Sequence, residues 1–250
     1  MTDTPAEFAI ATEDRGRVRV LTLDRPERLN SFTPVGYAAL TDVLAGAAAD
    51  DGVAVCVLTG RGRAFSSGVD LAVLGRAGGA AELGRQFDPM VEQLARFPKP
   101  LIAAVNGLAV GFGATILLHC DLVVVDEEAV IRMPFVSLGT CAEAASSWLL
   151  PQRVGLQQAN WMVLSGSALN ASEAVANGFA FAAAPAGRAL EEALVLAEQV
   201  AAHHIPALMA NKRLIRDGWA DAIARAWSRE RAAMVEVADQ IGPIGGKTDS

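Results

Sequence analysis

The chain has 250 residues, enough for one sizeable domain with a full core, and with 52% apolar and 20% charged residues it has the balance of a compact globular protein. No apolar run approaches the roughly 18–20 residues that span a bilayer. The net charge of −7 argues against nonspecific nucleic-acid binding but leaves room for an anionic small ligand, which needs only local donors. The first residues, MTDTPAEFAIATEDRGRV, have neither a basic region nor an apolar stretch, so no secretory signal is expected. Cys56, Cys120 and Cys141 are odd in number and widely spaced, which fits free thiols in a reducing cytoplasm rather than disulfides or a zinc site.

Phe8-Ala9-Ile10, a turn at Glu13-Asp14-Arg15-Gly16, and then Val18, Val20, Leu21 and Leu23 predict a hairpin over 8–23. Apolar spacing near three and four predicts a helix over 34–49, ended by Asp50-Asp51-Gly52. The wholly apolar run 53–58 reads as a buried strand. The rhythm then repeats: helix 82–96, strand 101–105, a glycine-broken turn at 106–113, helix 113–119 and strand 122–125. Such repetition predicts stacked ββα units with parallel strands. The pattern changes near residue 185, beyond which 187–203, 206–217 and 219–239 predict three successive helices, with Pro206 and Gly218 as punctuation. Two regions follow, 1–185 for the repeats and the site and 186–250 for a helical part suited to self-association. The stretch 75–80 and the tail 242–247 are glycine-rich and expected to be loose.

Two segments carry candidate chemistry. In Gly62-Arg63-Ala64-Phe65-Ser66-Ser67-Gly68-Val69-Asp70-Leu71, small residues around a glycine let a backbone N–H point outward and a ligand approach closely. In Ala104-Val105-Asn106-Gly107-Leu108-Ala109-Val110-Gly111-Phe112-Gly113, a strand ends and a helix begins, and helix starts offer unpaired N–H donors. Two such donors converging on one oxygen would make an oxyanion hole. Other groupings are weaker. Ser66 or Ser67 with His119 or His203 lacks the G-x-S-x-G elbow of a serine hydrolase, and no histidine grouping has metal-ligand spacing. Trp148 and Trp161 read as core or interface residues.

The order and spacing of these segments resemble one family. R-P-E-R-L-N-S-F at 25–32, G-R-G-R-A-F-S-S-G-V-D-L at 60–71, P-K-P-L-I-A-A-V-N-G at 98–107, S-L-G-T at 137–140, L-P-Q-R-V-G at 150–155 and A-L-N-A-S-E-A-V-A-N-G at 168–178 look like segments of the crotonase (enoyl-CoA hydratase/isomerase) superfamily. The resemblance runs from about residue 8 to 235. It implies an α/β fold, a crotonase-like spiral of ββα repeats with a C-terminal helical trimerisation region, working as a homotrimer or hexamer. It also implies an acyl-CoA substrate and no metal or redox cofactor. Carried over by position, the backbone N–H groups of Ser67 and Phe112 are the expected oxyanion donors. Arg28, Leu29, Ala64, Ser66, Val69, Asp70 and Gly111 are expected along the CoA and pantetheine path, with Asp70 chiefly structural. Arg25, Arg28, Arg61 and Arg63 are either CoA-phosphate contacts or solvated loop arginines.

The chain departs from the hydratase pattern, which places two glutamates where Thr115 and Phe135 stand. Neither residue can act as a carboxylate base. The stretch Leu138 to Ser147 instead resembles Δ3,Δ2-enoyl-CoA isomerases, which makes Glu143 the lone acid/base; ring-oxepin-forming isomerases carry an aspartate at the like position. No other charged residue lies between 133 and 152, so an apolar setting is expected to raise the Glu143 pKa. The expected activity is a double-bond shift in an enoyl-CoA. The alternatives are an acyl-CoA binder without chemistry, or a thioester hydrolase or decarboxylase on the same fold.

Overall fold

The computed structural model describes residues 8–241. Strands β1 (Ala9–Arg15) and β2 (Val18–Asp24) pair antiparallel with Arg15 opposite Val18, forming the expected hairpin. A 3-10 turn at Pro26–Arg28 leads into α1 (Pro34–Ala49), whose first turn is capped by Thr33 accepting from the Gly36 N–H at 3.2 Å. Strand β3 (Val55–Gly60) begins two residues later than its apolar run. Val53 N–H is spent on the Asp50 carbonyl and Ala54 N–H on that of Arg17, so these two residues close a turn.

The repeat then becomes visible in full. Each long strand is followed by a short one that joins a second sheet. Thus β3 is followed by β4 (Ala64–Ser66), then α2 (Leu71–Leu74) and α3 (Gly79–Arg96). Next come β5 (Leu101–Val105), β6 (Leu108–Val110) and α4 (Phe112–Thr115), the last tightening into a 3-10 turn over Ile116–His119. The third repeat is β7 (Leu122–Asp126) and β8 (Val130–Arg132), followed by α5 (Ser146–Val154) and α6 (Leu156–Ser165). After β9 (Ala168–Asn170), α7 (Ala171–Ala176) and β10 (Ala182–Ala184), the chain ends in α8 (Ala189–Ala201), α9 (Ile205–Ile215) and α10 (Trp219–Ile241). The larger sheet has the order β1-β2-β3-β5-β7-β10 and the smaller β4-β6-β8-β9. All neighbours in the large sheet except β1–β2 are parallel.

The alternation of side chains along the strands divides the core in two. On one face Leu21, Leu23, Cys56, Leu58 and Val105 pack with the aromatic residues of α1, α3 and α4. On the other, Val18, Val20, Val55, Val57, Ile102 and Ala104 meet the small residues Ala189, Ala193 and Ala197 of α8. α8 therefore closes the large sheet, although it follows the change of pattern at residue 185. Helix α10 returns to the first core: Trp227 lies 5.3 Å from Phe87 of α3, and Trp219 meets Trp148 of α5 edge-on at 5.1 Å. Trp161 on α6 is 60% exposed, and Leu214 and Ile215 on α9 are exposed as well. The expected loose tail, 242–247, lies outside the described residues.

Candidate active site

The first glycine-rich turn is built on Asn30. Its left-handed backbone (φ 53°) turns the side chain inward, where Oδ1 accepts from Arg25 N–H at 2.9 Å and Nδ2 donates to the carbonyls of Arg61 at 3.0 Å and Ala64 at 2.8 Å. Beneath it, Arg25 is buried and donates to Asp70 at 2.7 Å and to Ser31, while Asp70 also accepts from Ala72 N–H at 2.9 Å. Burial opposes ionisation of Asp70, but Arg25 and the Ala72 amide outweigh it and hold the carboxyl below its usual range. Asp70 is thus structural, and Arg25 has no freedom to reach a phosphate. Arg61 is exposed but pairs with Asp24 at 2.6 Å; Arg28 and Arg63 are exposed side chains.

Three positional expectations need correction. Ser67 N–H donates to the Leu29 carbonyl at 2.9 Å, so it is already committed and is no oxyanion donor. Ala64 and Ser66 are buried in β4 rather than placed along a ligand path. The Ala64 carbonyl is consumed by Asn30, and Ser66 Oγ donates to the Asn30 carbonyl at 2.7 Å while accepting from Gly68 N–H at 3.1 Å. Leu29 supports the turn through its carbonyl and stands with φ 52° beside exposed Arg28.

The free N–H is two residues further on. Val69 bridges Phe32 in parallel, with Phe32 N–H donating to the Gly68 carbonyl at 2.7 Å and Asp70 N–H to the Phe32 carbonyl at 2.8 Å. In a parallel bridge of this kind, the peptide groups flanking Val69 serve the neighbour, and the N–H of Val69 itself faces the opposite side. That side meets the second turn. A Cβ on Gly68 would lie 2.6 Å from the Val110 carbonyl oxygen and 3.1 Å from the Phe112 nitrogen, so the Gly68–Val69 peptide runs directly alongside the Phe112 amide. Phe112 opens α4 after Gly111 (φ 55°, ψ −123°), and its N–H has no partner within the helix. Among the described residues neither the Val69 nor the Phe112 N–H is hydrogen-bonded to backbone. Close packing of the turns also needs Gly113, where a Cβ would come within 2.2 Å of the Ser66 carbonyl oxygen.

The Phe112 side chain turns away from the amide into an aromatic group. Its ring lies 5.0 Å from Phe32, 5.4 Å from Tyr37 and 5.2 Å from Phe87, edge-on to each. Thr115 and Phe135 are both buried and carry no carboxylate, as the sequence implied. Glu143 is partly buried, in the stretch between Phe135 and α5. Desolvation, and then the negative charge of Glu230, push its carboxyl up to about 8. The Glu143 charge is felt in turn by buried Tyr37, whose phenol is raised chiefly by burial. The carboxyl and the aromatic group around Phe112 therefore share one region.

His119 is buried with Nε2 2.9 Å from the Ala144 carbonyl. A carbonyl only accepts, so Nε2 carries the proton. Burial brings the imidazole down to about 4, keeping it neutral near pH 7. It does not meet Ser66 or Ser67, and exposed His203 lies between α8 and α9, so no serine-histidine pair forms. Tyr37 and Glu230 escaped sequence reasoning as site residues, His119 was weighed only as a partner for a serine, and Val69 was expected along the CoA path but not as the residue with the free N–H. Only for Val69, in the Gly-Val-Asp motif, was there any local signal.

A spiral of ββα repeats with two unpaired amides brought side by side, and a partly buried carboxyl with raised proton affinity, has the form of a crotonase-type acyl-CoA enzyme. The chain belongs to the enoyl-CoA hydratase/isomerase family, whose profile matches residues 13–240. A Thermus thermophilus protein that carries an enoyl-CoA hydratase name is 41% identical over 237 residues, covering 89% of this chain and 93% of its own. The 1,2-epoxyphenylacetyl-CoA isomerase of Escherichia coli is 40% identical over 174 residues, 67% of this chain and 66% of its own. The crystal structure of an enoyl-CoA hydratase/isomerase from Pseudoalteromonas atlantica superposes with a TM-score of 0.87 at 33% identity, covering 94% of this chain and 93% of that one.

Proposed function

We propose that this chain is an acyl-CoA isomerase that shifts a double bond from C3–C4 to C2–C3 of an enoyl-CoA thioester. The Val69 and Phe112 N–H groups receive the thioester oxygen as C2 loses a proton, and Glu143 takes that proton and returns it at C4. The same carboxylate can serve both carbons because they flank one short stretch of the acyl chain. The observation that carries this reading is the Glu143 carboxyl, raised to about 8, in a site where Thr115 and Phe135 replace the hydratase glutamates. A carboxylate of high proton affinity is a stronger base once ionised and a ready donor once protonated. Because the ionised form starts the reaction, kcat/KM should rise with pH through the Glu143 pKa and level off above it.

A second reading, isomerisation of an acyl group derived from an aromatic ring, draws on the aromatic group of Phe32, Tyr37, Phe87 and Phe112, of which Tyr37 feels the Glu143 charge. The similarity to the 1,2-epoxyphenylacetyl-CoA isomerase supports it as well. The test for both is a panel of 3-enoyl-CoA, 2-enoyl-CoA and epoxyphenylacetyl-CoA substrates, followed by product analysis. Isomerised product is expected, with negligible 3-hydroxyacyl-CoA. Robust hydration of 2-enoyl-CoA would overturn the isomerase reading, acyl-CoA binding without turnover would favour a non-catalytic binder, and CoA release would favour a hydrolase.

We also propose that the enzyme works in the cytoplasm without metal or redox cofactor, as a homotrimer or dimer of trimers. Exposed Leu214 and Ile215 on α9 and Trp161 and Leu164 on α6 support self-association. Light scattering at micromolar concentration is expected to return a trimer or hexamer mass; a monomer mass would contradict it.

A further inference from the structure

We propose that Glu230, on the C-terminal helix α10, is the positioning residue that aims Glu143, gripping the backbone of the segment that carries it. This deepens the isomerase reading and rests on it for its meaning in catalysis. Glu230 is 4% exposed, and its two carboxylate oxygens are both engaged by one short segment: Ala145 N–H donates to Oε2 at 2.7 Å and Ser147 N–H to Oε1 at 2.8 Å. The Glu230 carbonyl also lies 3.6 Å from Cys141 Sγ. Glu230 thus meets the chain on both sides of Glu143.

The grip has something to hold. Ala144 and Ala145 have φ of 53° and 61°, a left-handed backbone that residues with a Cβ keep only when the surroundings enforce it. Ser146 N–H folds back to the Glu143 carbonyl at 2.9 Å, and His119 fixes the Ala144 carbonyl from the other side. Removing the Glu230 carboxylate would leave the Ala145 and Ser147 amides without their acceptor and free the turn to relax. Ala145 is also the N-cap of α5, so the cap of this helix and the hold on the turn next to Glu143 are one contact, which also places a second negative charge beside Glu143.

The groups facing Glu143 are Tyr37 from α1, Glu230 from α10 and Cys141 on its own segment, and His119 is neutral; burial raises the Glu230 carboxyl itself, while the Ser147 and Ala145 N–H groups and then Arg229 favour its charged form. Of these, Glu230 is the charge that raises the proton affinity of Glu143 beyond what burial does. Removing that charge eases ionisation, so Glu143 should lose its proton at lower pH.

The test compares wild type, Glu230→Gln and Glu230→Asp by carboxyl-carbon NMR titration of glutamate-labelled protein, with Glu143→Gln used to assign the signal. The pH profile of 3-enoyl-CoA isomerisation is measured alongside. In Glu230→Gln the Glu143 midpoint is expected to fall by roughly 1 pH unit. The amide can accept only one of the two N–H groups, so kcat should drop on the order of 10–100-fold with little change in KM. Glu230→Asp keeps the charge on a shorter arm, so the midpoint should stay near the wild-type value and part of kcat should return. An unchanged midpoint in Glu230→Gln overturns the proposal, as does a kcat loss that Glu230→Asp does not relieve. The titration needs no turnover. If the midpoint moves while wild type isomerises nothing, Glu230 still lies beside Glu143 and sets its proton affinity, and it is the isomerase reading that falls.

Discussion

Glu143→Gln is expected to lower 3-enoyl-CoA isomerisation by roughly 10²–10⁴-fold, the usual worth of a positioned general base. Glutamine keeps the size and much of the hydrogen bonding of glutamate but cannot accept a proton near neutral pH. Acyl-CoA affinity should change little, because the proposed contacts to the thioester oxygen are backbone amides that the substitution leaves in place. The limb of the pH profile set by a carboxyl raised to about 8 should vanish with the residue. Thr115→Ala offers the contrast. Its hydroxyl reaches only the Phe112 carbonyl, at 3.4 Å, and has no proton to move in this mechanism, so turnover should be nearly preserved. A steady-state comparison of the two variants on one substrate decides the point: equal losses would show that Glu143 has no special part.

Gly68→Ala should be nearly as damaging, for a different reason. At φ 86° an alanine is strained, and its methyl would press within 2.6 Å of the Val110 carbonyl oxygen and 3.1 Å of the Phe112 nitrogen. Backbone cannot give way there without separating the two turns, and the separation misplaces the Val69 and Phe112 amides together. Loss of one oxyanion donor costs about 10²–10³-fold in kcat, and a loss at least that large is expected here. Ser67→Ala is the matched control. The Ser67 amide already serves Leu29, and its hydroxyl lies a long 3.5 Å from the Arg28 carbonyl, so kcat should be close to wild type. A Gly68→Ala protein that retains native circular dichroism and wild-type kcat would remove the paired-amide site from the mechanism.

The difference between Ser67 and Val69 illustrates what local sequence carries. The run Ser66-Ser67-Gly68-Val69-Asp70 announces a turn with an outward amide, because small residues and a glycine permit it. Which amide faces out depends on Phe32 pairing with Val69, a contact made across 37 positions that no local pattern contains. The long strands were legible because a strand buried on both faces is written as an unbroken apolar run, as in Val55-Cys56-Val57-Leu58. The short strands β4, β6, β8 and β9 were not, since three residues hold too little alternation to distinguish them from the turns they extend. The Glu143 setting was half legible. Its own neighbourhood lacks charge, which foretold a raised pKa, but Glu230 arrives from α10, 87 positions away in the chain, and adds its repulsion only through the tertiary fold.

The central claim is that one carboxylate carries a proton between two carbons of the acyl chain. Its most direct test is transfer of label within a single turnover, using 3-enoyl-CoA deuterated at C2 in ordinary water, with the product read by mass spectrometry and NMR. Wild-type enzyme is expected to deliver part of the deuterium to C4 of the 2-enoyl-CoA product, and the Glu143→Gln protein to deliver none. Transfer that persists in Glu143→Gln, or turnover by wild type with no deuterium ever reaching C4, would contradict the account.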